Sequence, residues 1–378
     1  MKTRKLTWWL VLGAMSLAAL GMAVRGGQAQ GDDVLSLGFE DGLAGWISLD
    51  PQAKILPAEK KNIRSGTGAL EFRYDLRENA IPLVAKPQLS VAGAVSVEFW
   101  VKCTHSTGLV FSVGENDQAR YGTMHHVPGD TWTRVAINLD ELQLAQDAKD
   151  DNGKLDVDKI SSMFVADIGI FVQTVNPEIR GARMLWIDDL RFSRTRLASG
   201  AGPKTGGFVA DSFEGGLLRW LPISVAFDPV KFTIYPKLPT FDLTTDVPAE
   251  GGKAALKVAY PRPRLSAFAV VRDVWGLDLK DAGKVSFFVR SDKTGAFMAN
   301  LEKTNGARYQ SMFTVTPNLW QKIELPMTSF TLADDSKDSD GSLDMAKVKQ
   351  FGLMDLNLTM QDAGDNTLYV DELFFTTK

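Results

Sequence analysis

The chain repeats itself, and that repetition limits what it can fold into more than any other feature. Phe39-Glu40-Asp41-Gly42-Leu43-Ala44-Gly45-Trp46 returns as Phe213-Glu214-Gly215-Gly216-Leu217-Leu218-Arg219-Trp220. Ala119-Arg120-Tyr121 returns as Ala307-Arg308-Tyr309, and Trp132 as Trp320, both 188 positions on. Asp150 to Asp156 is echoed at the same offset by Asp338 to Asp344, while Leu185-Trp186-Ile187-Asp188-Asp189-Leu190 returns as Leu368-Tyr369-Val370-Asp371-Glu372-Leu373 after the offset has drifted. Anchors that recur in one order mark a duplicated unit. Ser193 to Gly207 is rich in Gly, Ser and Thr and lacks an apolar period. It reads as a flexible linker over 194–207 between modules at 32–193 and 208–378.

Lys2, Arg4 and Lys5 precede an apolar stretch from Trp8 to Val24, followed by the small residues of Gly27-Gln28-Ala29. That order is a signal peptide over residues 1–29, with a retained anchor as the competing reading. Its removal leaves no membrane span and predicts a secreted or periplasmic protein. About 350 residues then remain, the size of two domains. Cys103 is the only cysteine, so no intrachain disulfide supports either module. The net charge of -4 comes without a basic stripe, which argues against nucleic acid as a partner.

Each module reads as strand. Val95, Val97, Phe99 and Val101 alternate with Ser96, Glu98, Trp100 and Lys102, and Val285, Phe287 and Val289 with Ser286, Phe288 and Arg290. Leu70-Phe72-Tyr74, Leu256-Val258-Tyr260, Val135-Ile137-Leu139 and Ile323-Leu325 keep the same two-residue period. The helical hints are confined to the runs Asp156–Met163 and Asp344–Gln350. The prediction is all-β: two tandem antiparallel β-sandwich (jelly-roll) domains, each with at most a short helix.

On the closing strands, strict alternation puts Asp188 on one face with Trp186, Leu190 and Phe192, and Asp371 with Tyr369, Leu373 and Phe375. A carboxylate on an apolar face is costly unless its charge is cancelled. Glu40 and Glu214 supply a second carboxylate from the opening strands. Calcium suits such a pair together with loop carbonyls. The alternative is an Asp satisfied by backbone N–H groups and a solvated Glu.

Sugar recognition needs flat aromatic faces and planar polar groups in a concave site. Trp100 and its counterpart Phe288 point away from the core, flanked respectively by Glu98 and Lys102 and by Ser286 and Arg290. The alternative is a second packing layer. Arg120-Tyr121 and Arg308-Tyr309 lie in what reads as the neighbouring strand, with one residue of each pair facing the cleft. Trp46, Trp220, Trp132 and Trp320 read as packing residues, and His125 and His126 point to opposite faces and cannot share one metal.

A Phe-Glu-x-Gly opening, a mid-domain Trp, an acidic loop with Leu-Asp, and a closing aromatic-(Ile/Val)-Asp-(Asp/Glu)-Leu strand resemble one group. It is the galactose-binding-like jelly rolls, most closely family 11 carbohydrate-binding modules and the complex I intermediate-associated family. The resemblance implies structural calcium at Glu40 with Asp188 and at Glu214 with Asp371. It also implies carbohydrate binding, for which Trp100, Arg120, Tyr121, Phe288, Arg290, Arg308 and Tyr309 are the candidates.

The acidic loops fail as EF-hands. If Gly153 or Gly341 takes the sixth position, the first is Ala148 or Ser336 and the twelfth Lys159 or Lys347. A solvated loop whose Asp caps the next helical turn is the expected role. The chain contains no Gly-x-Ser-x-Gly elbow, metalloprotease His motif, phosphate loop or dinucleotide fingerprint. The expectation is therefore an exported, non-catalytic, monomeric protein that binds a polysaccharide or cell-surface glycan. The rival is an envelope interaction protein on the same fold without sugar binding.

Overall fold

The computed structural model describes residues 32–43, 45–77, 81–145, 148–169, 180–197, 201–217, 219–226, 239–264, 266–274, 277–357 and 363–378. The segment read as a signal peptide lies outside them. The chain divides into two compact units after Leu197.

In the first unit one sheet includes β1 (Asp33–Leu37), β3 (Lys54–Pro57), β4 (Leu70–Leu76), β6 (Ser96–Cys103), β9 (Thr133–Asn138) and β12 (Gly181–Ser193). Their order is β3-β4-β12-β6-β9, with β1 on β12. The other sheet holds β2 (Ile47–Ser48), β5 (Leu83–Pro87), β7 (Thr107–Glu115), β8 (Arg120–Val127), β10 (Gln143–Leu144) and β11 (Ile160–Asp167). It runs β10-β8-β7-β11-β5-β2.

The second unit repeats the plan. Its first sheet has β13 (Gly202–Lys204), β14 (Gly207–Asp211), β16 (Thr240–Thr244), β17 (Ala255–Arg262), β19 (Ala282–Ser291), β22 (Gln321–Pro326) and β25 (Gly364–Thr377). Strands β15 (Trp220–Ala226), β18 (Ser266–Asp273), β20 (Gly295–Lys303), β21 (Arg308–Val315), β23 (Thr331–Leu332) and β24 (Val348–Asn357) make the other. Its order is β15-β18-β24-β20-β21-β23. Both units are all-β antiparallel sandwiches, as the alternation requires.

That alternation sets the core. Val97, Phe99, Val101 and Cys103 of β6 are buried while Glu98, Trp100 and Lys102 are half-exposed. Val285, Phe287 and Val289 of β19 pack with Phe297, Phe313 and Phe351 from the opposite sheet. Val95, grouped above with the inward residues, precedes the strand and is exposed. The helical hints shrink to single 3-10 turns at Val157–Lys159 and Met345–Lys347, after which β11 and β24 begin. Their β-branched and aromatic residues favour the ladder.

Part of the segment read as a linker is structured. Gly202–Lys204 pairs with β14, Leu197 N donates to Asn138 Oδ1 (2.9 Å) and Ser96 Oγ to the Thr195 carbonyl (2.7 Å).

His125 and His126 are adjacent on β8 and both buried. Burial pushes the His126 imidazole down to about 4. Because this folded value lies below the unfolded one, stability is full above about pH 6.5 and is lost as pH falls towards 4. The loss amounts to at most about 3 kcal/mol. Acid titration of the unfolding midpoint should therefore show a limb that His126→Gln flattens. An unchanged limb in that variant would remove His126 as its source.

Candidate functional site

The sugar-site candidates do not converge. Trp100 lies on β6 and Phe288 and Arg290 on β19, in the sheets that carry the closing strands; Arg120 and Arg308 lie on β8 and β21, in the opposite sheets. The single cleft expected from the sequence is thus two faces on opposite sides of each sandwich. The cause is a crossover: the chain changes sheet between β6 and β7 and between β19 and β20. Tyr121 and Tyr309 face inward, and both are buried. Each hydroxyl donates to its acidic loop, Tyr121 to Asp150 and Tyr309 to Asp338 at 2.6 Å.

On the Trp100 side, polar and aromatic groups are already engaged with one another. The Arg64 guanidinium lies 4.3 Å from the centre of the Trp100 ring, and Arg134 pairs with Glu98. Arg290 stacks 3.8 Å from Tyr369 and 5.6 Å from Trp320, and its Nη1 meets Asp246 Oδ2 at 2.6 Å. Lys322 Nζ stands 5.6 Å from Phe288. These cation–π contacts occupy ring faces that a sugar would need.

The sequence reading passed over the opposite face of the first unit. Register puts Arg120, Gly114 and Ser162 in one row, and Gly122, Ser112, Phe164 and Ala85 in the next. Phe164 is half-buried and rests on Leu83, Ala85 and Ala166. A Cβ at Gly114 would lie 2.6 Å from Ser162 Oγ and 3.5 Å from the Phe164 ring, so glycine keeps that flank clear. An aromatic ring, two hydroxyls and a guanidinium therefore share one surface. Alternation along β11 was the signal that could have exposed Phe164, because Met163 and Val165 are core.

The second unit has diverged at these places. Asn300 and Gln310 are cross-strand partners, and Gly352 stands where the first unit has Phe164. Beside them Met312, Met298 and Met354 form a row across three strands, with Met312 53% exposed.

The carboxylates proposed for calcium behave differently in the two units. A bulge at Asp189, with φ at 50°, and one at Glu372, with φ at 48°, shift the register of the closing strands. Trp186 and Asp188 therefore face away from the core that Leu190 and Phe192 enter, which corrects the shared face expected from strict alternation. Asp188 is nonetheless fully buried, and it accepts from Arg64 N (2.8 Å), Ser65 N (3.1 Å) and Asp189 N (2.8 Å). Glu40 accepts from Thr67 N of the same loop at 2.8 Å. Backbone donors thus satisfy the first pair.

Asp371 is equally buried, but only Glu372 N, at 2.7 Å, donates to it, and its Oδ2 has no partner. Burial pushes its carboxyl up to about 7, with like charge from Glu372 and Glu214 adding to the rise. Glu214 accepts from Ala254 N at 3.0 Å. A Cβ at Gly251 would come within 2.4 Å of Asp371 Oδ2, and one at Gly252 within 2.1 Å of Glu214 Oε1. Two carboxylates around a bare glycine loop, one with an orphaned oxygen, fit a hard cation. Among the described residues no three Asp, Glu, His or Cys side chains are already closed into a ligand set. A site here would therefore need loop carbonyls as well.

Residues 252–370 match the family model of Complex I intermediate-associated protein 30. The fold is similar to that of a family 11 carbohydrate-binding module from Clostridium thermocellum, solved in complex with a beta-1,3-1,4-mixed-linked tetrasaccharide. The identity is 20%, covering 48% of this chain and 98% of that one with a TM-score of 0.35. A tandem of family 22 modules from Paenibacillus barcinonensis is 15% identical over 95% of this chain and 99% of its own, with a TM-score of 0.32. An exo-beta-agarase is 14% identical, covering 37% of this chain and 23% of that one, with a TM-score of 0.30. No curated protein sequence matches the chain. The family model and the first of these structures belong to the two groups that the sequence motifs resemble.

Proposed function

We propose that this is an exported, non-catalytic polysaccharide-binding protein whose first module holds the glycan on the β8-β7-β11 face. The observation that carries this reading is the surface around Phe164. A half-exposed ring reaches the flank of Gly114 there, beside Ser112, Ser162 and Arg120. Such a surface offers an apolar plane to a pyranose ring and planar or hydroxyl partners to its edges. Calcium belongs to the proposal as a structural ion at Glu214 and Asp371 of the second module.

Gel retardation on soluble glucans, xylans and galactans tests the reading. The wild type should be retarded by one polymer class. Phe164→Ala should weaken binding about tenfold, the equivalent of a 1.4 kcal/mol contact. Trp100→Ala, whose ring is held by Arg64, should bind like the wild type. Loss in Trp100→Ala alone would move the site to the other sheet.

The row of Met298, Met312 and Met354 favours a second role for the second module, a protein contact. Methionine faces adapt to protein partners and offer little to a sugar hydroxyl. No retardation on any polymer would leave that envelope role as the reading.

A further inference from the structure

The two acidic loops sit at matching places, but what they enclose is opposite in charge. In the second module Lys303 closes β20 and its side chain is fully buried. Its Nζ lies 3.0 and 2.8 Å from the two oxygens of Asp338, 3.0 Å from Asp340 Oδ2 and 3.0 Å from the Ser342 carbonyl. Tyr309 and Asn305 also donate to Asp338, at 2.6 and 2.9 Å. The loop is therefore a shell of oxygens folded around a tethered cation.

The residue 188 positions earlier is Glu115. It holds the same place in the ladder, since Glu115 pairs with Ile160 as Lys303 pairs with Val348. The loop docks in the same way, with Tyr121 donating to Asp150. By the same offset Asp150, Asn152 and Lys154 correspond to Asp338, Asp340 and Ser342, whose oxygens surround the ammonium. Asn305 has become Asp117. The donor residues of the loop are kept or conservatively exchanged, and the central cation has been replaced by a carboxylate.

That carboxylate is incompletely satisfied. Glu115 is 4% exposed; its Oε1 accepts from Asp156 N at 2.7 Å, and its Oε2 has no partner. A buried carboxylate oxygen with nothing bound carries a desolvation cost that a positive ion removes. Burial and the nearby Asp117, Asp150 and Asp156 raise the acid equilibrium of Glu115. Asp156 makes no cap to its 3-10 turn, whereas Asp344 accepts from Ala346 N at 3.1 Å. Lys159 meets Asp156 at 2.6 Å from the rim, with its side chain 51% exposed.

We propose that the first module binds a hard divalent cation, calcium by its chemistry, at the place the Lys303 ammonium takes in the second. Glu115, Asp150, Asn152, Asp156 and the Lys154 carbonyl are its donors. All are oxygens, mixing carboxylate, amide and backbone carbonyl, which suits calcium and not a metal that prefers nitrogen or sulfur. Asp150 and Asn152 at present accept from Lys154 N, at 3.1 and 2.7 Å. Loading therefore turns short side chains of the loop inward and needs no new strand pairing.

Calcium titration by calorimetry on the full chain carrying Asp371→Asn tests this without interference from the second module. The expected result is one equivalent bound, lost on adding Glu115→Lys, which installs the second module's own solution. Glu115→Lys should also unfold at a higher temperature than its parent in chelator and ignore calcium. Asp150→Asn, on a partly exposed loop, serves as a second variant and should weaken the same equivalent. No calcium bound by the parent, or an equivalent that survives both Glu115→Lys and Asp150→Asn in folded protein, overturns the proposal. Neither result touches the glycan reading, which is scored on polymer gels.

Discussion

Asp355→Ala should cost the second module about 3–5 kcal/mol, the range for removing one member of a buried ion pair. Asp355 lies on the inward side of β24 and is 1% exposed. Its Oδ2 accepts from Arg262 Nε at 2.8 Å, Tyr260 Oη at 2.6 Å and Asn366 Nδ2 at 3.0 Å. Truncation takes the carboxylate from a guanidinium that is itself 4% exposed and removes an acceptor from Tyr260 and Asn366. Replacing Arg262 and Asp355 together with apolar residues should cost much less, because the expensive step is leaving one charge alone. Hydrogen exchange would read both variants. Protection should collapse in β17, β18, β24 and β25 and persist in the first module. A loss below about 1 kcal/mol for Asp355→Ala, within the range of an ordinary hydrogen bond, would show that Arg262 finds another partner.

The Asp355 network also shows how far the residues could be read. Phe351 and Leu353 alternate inward on β24, and the same alternation carries Asp355 and Asn357 inward after them. Period alone therefore found the strand but gave no sign that its end was a polar knot. The bulges were hidden for a related reason. One extra residue at Asp189 or Glu372 reverses every later side chain, yet it leaves no mark in composition. Sheet membership was hidden too, because β6 and β8 read as neighbours while the chain crosses the core between them. Duplication was the opposite case. Trp132 and Trp320, or Tyr121 and Tyr309, are legible because both copies kept them. The replacement of Glu115 by Lys303 was written in the same offset, and only its burial reveals its meaning.

Calcium and pH should act on the second module through Asp371, with an effect on the order of 4 kcal/mol at its upper bound. The carboxyl titrates near 3.8 when unfolded and is pushed up to about 7 when folded. Between those values the unfolded chain has released a proton that the folded chain still holds. Stability is then greatest below the lower value and falls as pH rises towards the upper one, the reverse of a salt-bridged carboxylate. In chelator the module should lose stability from about pH 4 to 7 and remain at its minimum above that. Asp371→Asn should raise the unfolding midpoint in chelator at neutral pH and flatten this decline. Calcium should do the same for the wild type, since a bound cation favours the charged form that burial opposes. In the first module burial also pushes the Asp188 carboxyl up, but three backbone N–H groups oppose that rise. Thermal unfolding in calcium and in chelator at neutral pH decides the matter. Midpoints that coincide for the wild type would remove the ion from the second module. Its glycine loop would then be closed around Glu214 by backbone hydrogen bonds alone.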